Sequence, residues 1–248
     1  MTEKKDSRNL ELLARFAGDK AIPRFSRFLD PAEMRQASEM AENHHTGLLA
    51  WGGYEEAERK QVCFFPADSL PPEKEEFPLT CLASPYHAKF NKITHRDILG
   101  AFMSLGLTRS CLGDIIIDDT SVFLFVTDET AAFVMDSLTE ANRAKLSFHI
   151  VEDMVILPKP KGSYFRAVVS SLRLDSVLSA ACHISRTKSA ELIRSGSVKL
   201  NHIECLRADE TVEVGSVLSV RNFGRVKVVS FDGETKKERL GLTFFQYE

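Results

Sequence analysis

The absences in this 248-residue chain narrow its class before any motif does. No apolar run approaches the roughly 18–20 residues of a membrane-spanning helix; runs such as 115–117 and 121–126 fall far short. There is no C-x-x-C pair. The five cysteines (Cys63, Cys81, Cys111, Cys182 and Cys205) are odd in number and widely spaced, so reduced thiols in a cytoplasmic setting are expected rather than a disulfide framework. His44, His45 and His87 form no ligand pair of recognised spacing, so no metal and no cofactor is expected. No charged-then-apolar leader opens the chain, since residues 1–8 are polar and mixed in charge, and a secretory signal is not expected. A basic excess is missing too. The 32 Lys and Arg against 35 Asp and Glu give a net charge of −3, which argues against an indiscriminate polyanion binder.

What is present is an uneven distribution of that charge. Residues 1–90 carry a net −3, residues 91–157 a net −5, and residues 158–248 a net +5. Within the last third, residues 158–207 hold nine basic and three acidic side chains, whereas residues 114–140 hold seven acidic and no basic ones. Such asymmetry bears on partners, not on fold.

Periodicity and punctuation divide the chain into three. Leu10, Leu12, Leu13 and Phe16 recur at helical spacing, and Asp30-Pro31 supplies an N-cap and a first-turn proline for a second helix. Strands are expected over 46–51 and 61–65, before a Pro- and charge-rich breaker at 66–76. Then strands at 77–83, 113–117, 122–126 and 146–151 alternate with helices at 94–105 and 129–138. That βαββαβ order predicts a ferredoxin-like, RNA-recognition-motif-like domain. A second breaker, 158–162, precedes a strand at 167–170 and helices at 173–182 and 187–195, the latter capped by Ser185 and closed by Gly196. Short strands are expected at 198–200, 204–206 and 217–221, with Asn201-His202 as the turn between the first two. The expected fold is α+β: an N-terminal α/β domain (1–75), the ferredoxin-like domain (76–157) and a C-terminal module (163–248).

The chemistry concentrates in the last of these. Ser185-Arg186-Thr187-Lys188-Ser189 opens a helix, where backbone N–H groups and the positive end of the dipole suit phosphate. The elements R-L-D (173–175), S-R-x-K-x-x-x-L-I (185–193), G-x-V-x-x-N (196–201) and a strand ending at Arg221 together resemble the S-four-type, or alpha-L, RNA-binding domain. The resemblance implies binding of structured RNA through Arg173, Ser185, Arg186, Thr187, Lys188, Arg194, Lys199, Asn201, His202, Arg221 and Arg225. The chain departs from that pattern in Asn201-His202, where Asn-Gly is usual, and in Gly215-Ser216, where Gly-Asp is usual.

Further blocks resemble the bacterial YlmH-like RNA-binding proteins: G-G-Y-x-x-A-E-R over 52–59, H-R-D-I-L-G-A over 95–101, L-G-L-x-R over 105–109, G-D-I over 113–115 and R-N-F-G-R-V-K over 221–227. That resemblance implies association with the large ribosomal subunit, contact with rRNA and peptidyl-tRNA, and a place in rescue of stalled nascent chains. It implies no catalysis and no membrane. Two other classes stand beside it: an RNA-modifying enzyme or its accessory subunit, and a cell-division-linked adaptor whose acidic middle domain takes a protein partner. Arg173-Leu174-Asp175 is also similar to the catalytic aspartate motif of pseudouridine synthases, but fewer than 75 residues follow it. His95-Arg96-Asp97 mimics a kinase loop without the rest of the kinase set, and reads as a helix start capped by Thr94. Phe123 and Phe125 share one sheet face, where core packing or a protein interface is favoured over base stacking. Gly52-Gly53-Tyr54 reads as a tight turn rather than a nucleotide loop, and Lys236-Lys237-Glu238-Arg239 as a solvated turn.

Overall fold

A computed structural model describes residues 2–86, 92–151, 162–234 and 239–247, with side chains described from residue 8 onward. The turn at 236–238, His87 and most of the second breaker lie outside these residues. The chain divides into two compact units, Met1–Pro158 and Lys159–Glu248. Among the described residues no helix is long and apolar enough to cross a membrane.

The first unit begins with α1 (Thr2–Lys20), β1 (Arg24–Phe25) and α2 (Pro31–Asn43). Asp30 starts α2 by accepting from Ala32 N and Glu33 N, both at 2.9 Å, while the Glu33 carboxylate returns to Asp30 N at 2.6 Å. β2 (Thr46–Trp51) and β3 (Gln61–Pro66) complete an antiparallel sheet of order β1-β3-β2. Leu10, Ala14, Ala17, Ala37, Ala41, Val62 and Phe64 close a core between that sheet and the two helices.

The second sheet of this unit follows the 66–76 breaker. It comprises β4 (Leu79–Pro85), α3 (His95–Ser104), β5 (Leu112–Ile117), β6 (Ser121–Thr127), α4 (Asp128–Ser137), the small hairpin β7 (Glu140–Ala141) and β8 (Ala144–Lys145), and β9 (His149–Ile150). The order is β5-β6-β4-β9, all antiparallel. Leu82, Val122, Leu124 and Val126 meet Ile98 and Phe102 of α3 and Ala131 and Val134 of α4. Thr94 caps α3 in a capping box with Asp97, as the sequence predicts. The strand expected over 146–151 shortens to β9. Leu146 and Phe148 turn into the core, and Ser147 N donates to Ser84 Oγ at 2.8 Å instead of to a ladder.

One carboxylate joins the two sheets. Asp114 accepts from Tyr54 OH at 2.7 Å, Glu58 N at 2.7 Å and Arg59 N at 3.1 Å. Arg59 reaches past it to the carbonyls of Leu112 and Phe28, each at 3.0 Å, and Arg109 donates to Leu112 O at 2.7 Å. Burial pulls both guanidiniums below the usual arginine range, and the Arg59 charge adds to the effect at Arg109. Tyr54 packs on Phe125, with ring centroids 5.2 Å apart. Gly53 has φ +96°, and a Cβ there would lie 2.3 Å from the Phe125 ring. Thus Gly52–Lys60 is a structural clasp, and the face of β6 that carries Phe125 is closed by the chain itself.

The second unit contains β10 (Gly162–Val169), α5 (Leu174–Ala181), α6 (Arg186–Arg194), β11 (Val198–Leu200), β12 (Ile203–Glu204), β13 (Val217–Val220), β14 (Gly224–Glu234) and β15 (Leu240–Tyr247). They form one six-stranded sheet, β10-β15-β14-β13-β11-β12. Its strands differ from the expected ones at the edges. β10 begins five residues earlier than expected, and β12 occupies 203–204 rather than 204–206. The long pair β14 and β15 is not anticipated at all, because two register shifts, between Val228 and Ser230 and between Phe231 and Gly233, break the period-two signal.

Asp114→Ala leaves the Tyr54 hydroxyl and two backbone amides without their acceptor. It should lower unfolding stability by about 2 kcal/mol, read by urea denaturation through the single Trp51.

Candidate nucleic-acid interface

α5 and α6 are joined by a corner that leaves little freedom. Cys182 N donates to Leu178 O at 2.9 Å, His183 takes a left-handed φ of 54°, and Ser179 Oγ donates to Ile184 O at 2.6 Å. Val177, Leu178 and Ala181 pack with Ile193. Ser189, fully buried, donates to Asp175 O at 2.9 Å. Ser185 caps α6 by accepting from Lys188 N at 3.2 Å. The start of α5 is closed differently: Leu174 N and Asp175 N donate to the carbonyls of Glu210 and Ala208 at 2.8 and 3.0 Å.

Asp175 is the centre of this arrangement. Arg186 Nη2 donates to its Oδ2 at 2.7 Å, and Arg173 Nε to its Oδ1 at 3.3 Å. The carboxylate is 11% exposed, the Arg173 and Arg186 side chains 48% and 51%. Burial alone would raise the Asp175 carboxyl. The hydrogen bonds and charges of Arg186 and Arg173 outweigh it and hold the group below the usual carboxylate range. Both arginines therefore have an intramolecular duty, and each keeps half its surface to solvent.

The remaining sequence-derived candidates sort into groups. Thr187, Lys188 and Arg194 are exposed on α6. Lys188 pairs with Glu191 at 3.2 Å, an exposed pair of small energetic worth. Among the described residues Arg194, Lys199 and Arg221 form no ion pair. Arg221 N donates to Ser197 O at 2.9 Å, which brings the end of β13 beside the turn that follows α6. Asn201 and His202 both have positive φ, 49° and 68°, the geometry of a tight hairpin turn. Asn201 Oδ1 accepts from Val217 N at 2.8 Å, so that side chain is used within the fold. Lys199 and Arg225 stand elsewhere. Both pair in register with Ser219, and neither belongs to the face that packs on the helices. The structure thus brings Arg173, Ser185, Arg186, Thr187 and Lys188 together and sets Lys199 and Arg225 on a different surface.

In the acidic tract, Asp114 holds the clasp, Asp118 accepts from Thr120 N and Ser121 N, and Asp128 accepts from Thr80 Oγ1. Glu129 pairs with Arg27, and Glu140 with Lys145. At least five of the seven carboxylates over 114–140 thereby have internal partners. Burial pushes the thiols of Cys63 and Cys182 up to about 11 and that of Cys81 up to about 12, so they stay protonated and weakly nucleophilic at neutral pH. Among the described residues no group of three or more His, Cys, Asp or Glu stands close enough to hold a metal ion.

Because the folded Asp175 carboxyl titrates below its unfolded value of about 3.9, its contribution is complete above that value and is lost as pH falls through the folded one. Asp175→Asn should cost the C-terminal unit about 1–2 kcal/mol near neutral pH, discounted because both partners are half-exposed. The variant should also flatten the acid dependence that begins below about pH 5. Hydrogen–deuterium exchange of the α5 and α6 amides reads both effects.

Residues 72–153 match the family model described as "Putative RNA-binding domain in YlmH". Over 218 residues the chain is 37% identical to the ribosome-associated protein quality control protein P2 of Bacillus subtilis (strain 168), covering 88% of this chain and 84% of that protein. Among solved structures, the cell division protein ylmH from Streptococcus pneumoniae aligns with a TM-score of 0.52 over 61% of this chain and 92% of its own. At 21% identity that likeness bears on fold alone. With more than four-fifths of both sequences aligned to the Bacillus protein, the chain belongs to the YlmH family.

Proposed function

We propose that this protein binds RNA on the ribosome and acts in quality control of stalled nascent chains, without catalysing a reaction. The observation that carries the reading is the α5–α6 corner. Two arginines anchored on a buried carboxylate stand at the helix starts with the exposed Thr187 and Lys188 in the first turn of α6, and Arg194 is exposed in its last turn. Such a corner suits phosphate oxygens rather than base edges, as recognition of folded RNA through its backbone requires. The likeness to a ribosome-associated quality control protein supplies the setting.

The finer reading is that α5 through β13 is an S-four-type module and that the β5-β6-β4-β9 sheet is a ferredoxin-like domain behind a small α/β domain. The large ribosomal subunit is the platform, with rRNA and peptidyl-tRNA as ligands. Ser185, Asn201, His202 and Arg221 border the proposed contact. The match over residues 72–153 favours a second contact on the middle domain. Because the sheet face at Phe125 is closed by Tyr54, the exposed His95 and Arg96 at the start of α3 are its candidates.

The noncatalytic reading is supported by Asp175, whose carboxylate is enclosed by Arg173 and Arg186 instead of facing a substrate cavity. A protein partner at the middle domain is the alternative. It draws little support from the acidic tract, where most carboxylates are internally engaged, and capture of a partner that survives RNase would favour it.

Arg186 is a poor residue with which to test the RNA contact, because removing it strips Asp175 of its shorter hydrogen bond. Lys188→Ala with Arg194→Ala spares the fold. The double variant should co-sediment less with large subunits, and its log–log salt dependence should be shallower by about 0.7–0.9 for each phosphate contact removed. Unchanged co-sedimentation would overturn the assignment to α6.

A further inference from the structure

The face of the C-terminal sheet turned away from α5 and α6 is built from two adjacent cross-strand rows. In the first, Val217, Lys227, Phe245 and Tyr164 stand directly opposite one another across β13, β14, β15 and β10. In the second, Lys199, Ser219 and Arg225 continue to Tyr247, whose ring lies 4.6 Å under the Arg225 guanidinium, and then to Gly162. Their neighbours along each strand, such as Leu218, Val226, Phe244 and Phe165, point the other way into the core.

The three aromatics form one contiguous patch. Tyr164 and Phe245 have centroids 4.9 Å apart, as do Phe245 and Tyr247. Gly162 makes room for it, since a Cβ there would lie 2.6 Å from the Phe245 ring. Tyr164 is 70% exposed although its ring already packs against Phe245 at a tilt of 57°. Lys199, Arg225 and Lys227 line the inner side of the patch. At its far end Asp232 accepts from Thr243 Oγ1 at 2.7 Å and lies 3.5 Å from Arg166 Nε, so the local acidic charge there is matched.

We infer that this open face is a second RNA site, a stacking platform for unpaired bases, with Tyr164 as its outermost ring. The inference rests on the RNA-binding reading above but concerns a different surface and a different form of RNA. Ring faces stack on any base, and flanking cations track the phosphates, so such a platform takes single strands with little sequence preference. The α6 face, lacking exposed aromatics, suits duplex phosphates. Charge bears on the occupant: Lys199, Arg225 and Lys227 stand on this face with Glu204 opposite Lys199 in register, and a nucleic acid strand meets these cations with phosphates where an apolar partner would have to desolvate them.

The test measures fluorescence anisotropy of the full chain with two labelled RNAs, an unstructured CA-repeat of about 12 nucleotides and a stable hairpin. Tyr164→Ala should weaken binding of the unpaired RNA about tenfold, the order expected for one lost stack, and leave the hairpin unaffected. Tyr164→Trp should restore binding, with indole emission quenched on adding the unpaired RNA beyond any change from Trp51 in the parent chain. Equal affinity of Tyr164→Ala and the parent for the unpaired RNA would overturn the platform and leave this face to a protein. If Lys188→Ala with Arg194→Ala still weakened hairpin binding in that case, the α6 reading would survive. A parent chain that bound neither RNA would overturn both.

Discussion

A carboxylate removed from water must be paired, and at Asp175 this requirement organises the C-terminal unit. With its side chain 11% exposed, Asp175 is stable as an anion only while Arg173 and Arg186 donate to it. Those two residues lie at the starts of α5 and α6, so the need to pair one charge fixes the two helix ends side by side. Ser189 adds a hydrogen bond to the Asp175 carbonyl, and the 208–210 loop takes up the first amides of α5. The cationic surface is consequently pre-organised. Its guanidiniums are held in place by Asp175, which on the reading proposed above reduces the side-chain entropy lost on binding RNA.

Asp114 applies the same rule in the other unit. It gathers Tyr54, Glu58 and Arg59 from one sequence block and stands in another, next to the carbonyl that Arg59 and Arg109 share. Blocks far apart in sequence therefore meet in one half-buried clasp, and their role there is architectural. This has a cost for RNA recognition: Tyr54 covers Phe125, on the sheet face where a ring would otherwise be offered to a base. With that face closed, the exposed ring cluster of the C-terminal sheet is the one formed by Tyr164, Phe245 and Tyr247.

Much of this was legible in the sequence where local rules govern. The caps at Asp30, Thr94 and Ser185 are set by residues within one turn, and the structure has all three. The R-L-D and S-R-x-K blocks were readable as one module because their order is short-range. Pairings between distant residues were not. Nothing near Arg59 signals that its guanidinium reaches the carbonyls of Phe28 and Leu112, and the Gly-Gly-Tyr block reads only as a tight turn. Tyr164 is invisible for another reason. Its significance depends on Phe245, 81 residues later, and on a strand whose partner is broken by register shifts. Arg173 and Arg186 look like free phosphate ligands in one dimension and become clasp residues in three.

The charge count reads differently once partners are known. Residues 159–248 carry five more basic than acidic side chains, yet Arg173 and Arg186 share Asp175, Lys188 faces Glu191, and Arg207 faces Asp209 and Glu210. Among the described residues Arg194, Lys199 and Arg221 form no ion pair and meet phosphate without such competition. On the reading proposed above, so few phosphate contacts give a shallow salt dependence, and selectivity rests on shape, through a helix corner fixed by one buried carboxylate, and on non-ionic contacts such as ring stacking, which salt does not screen.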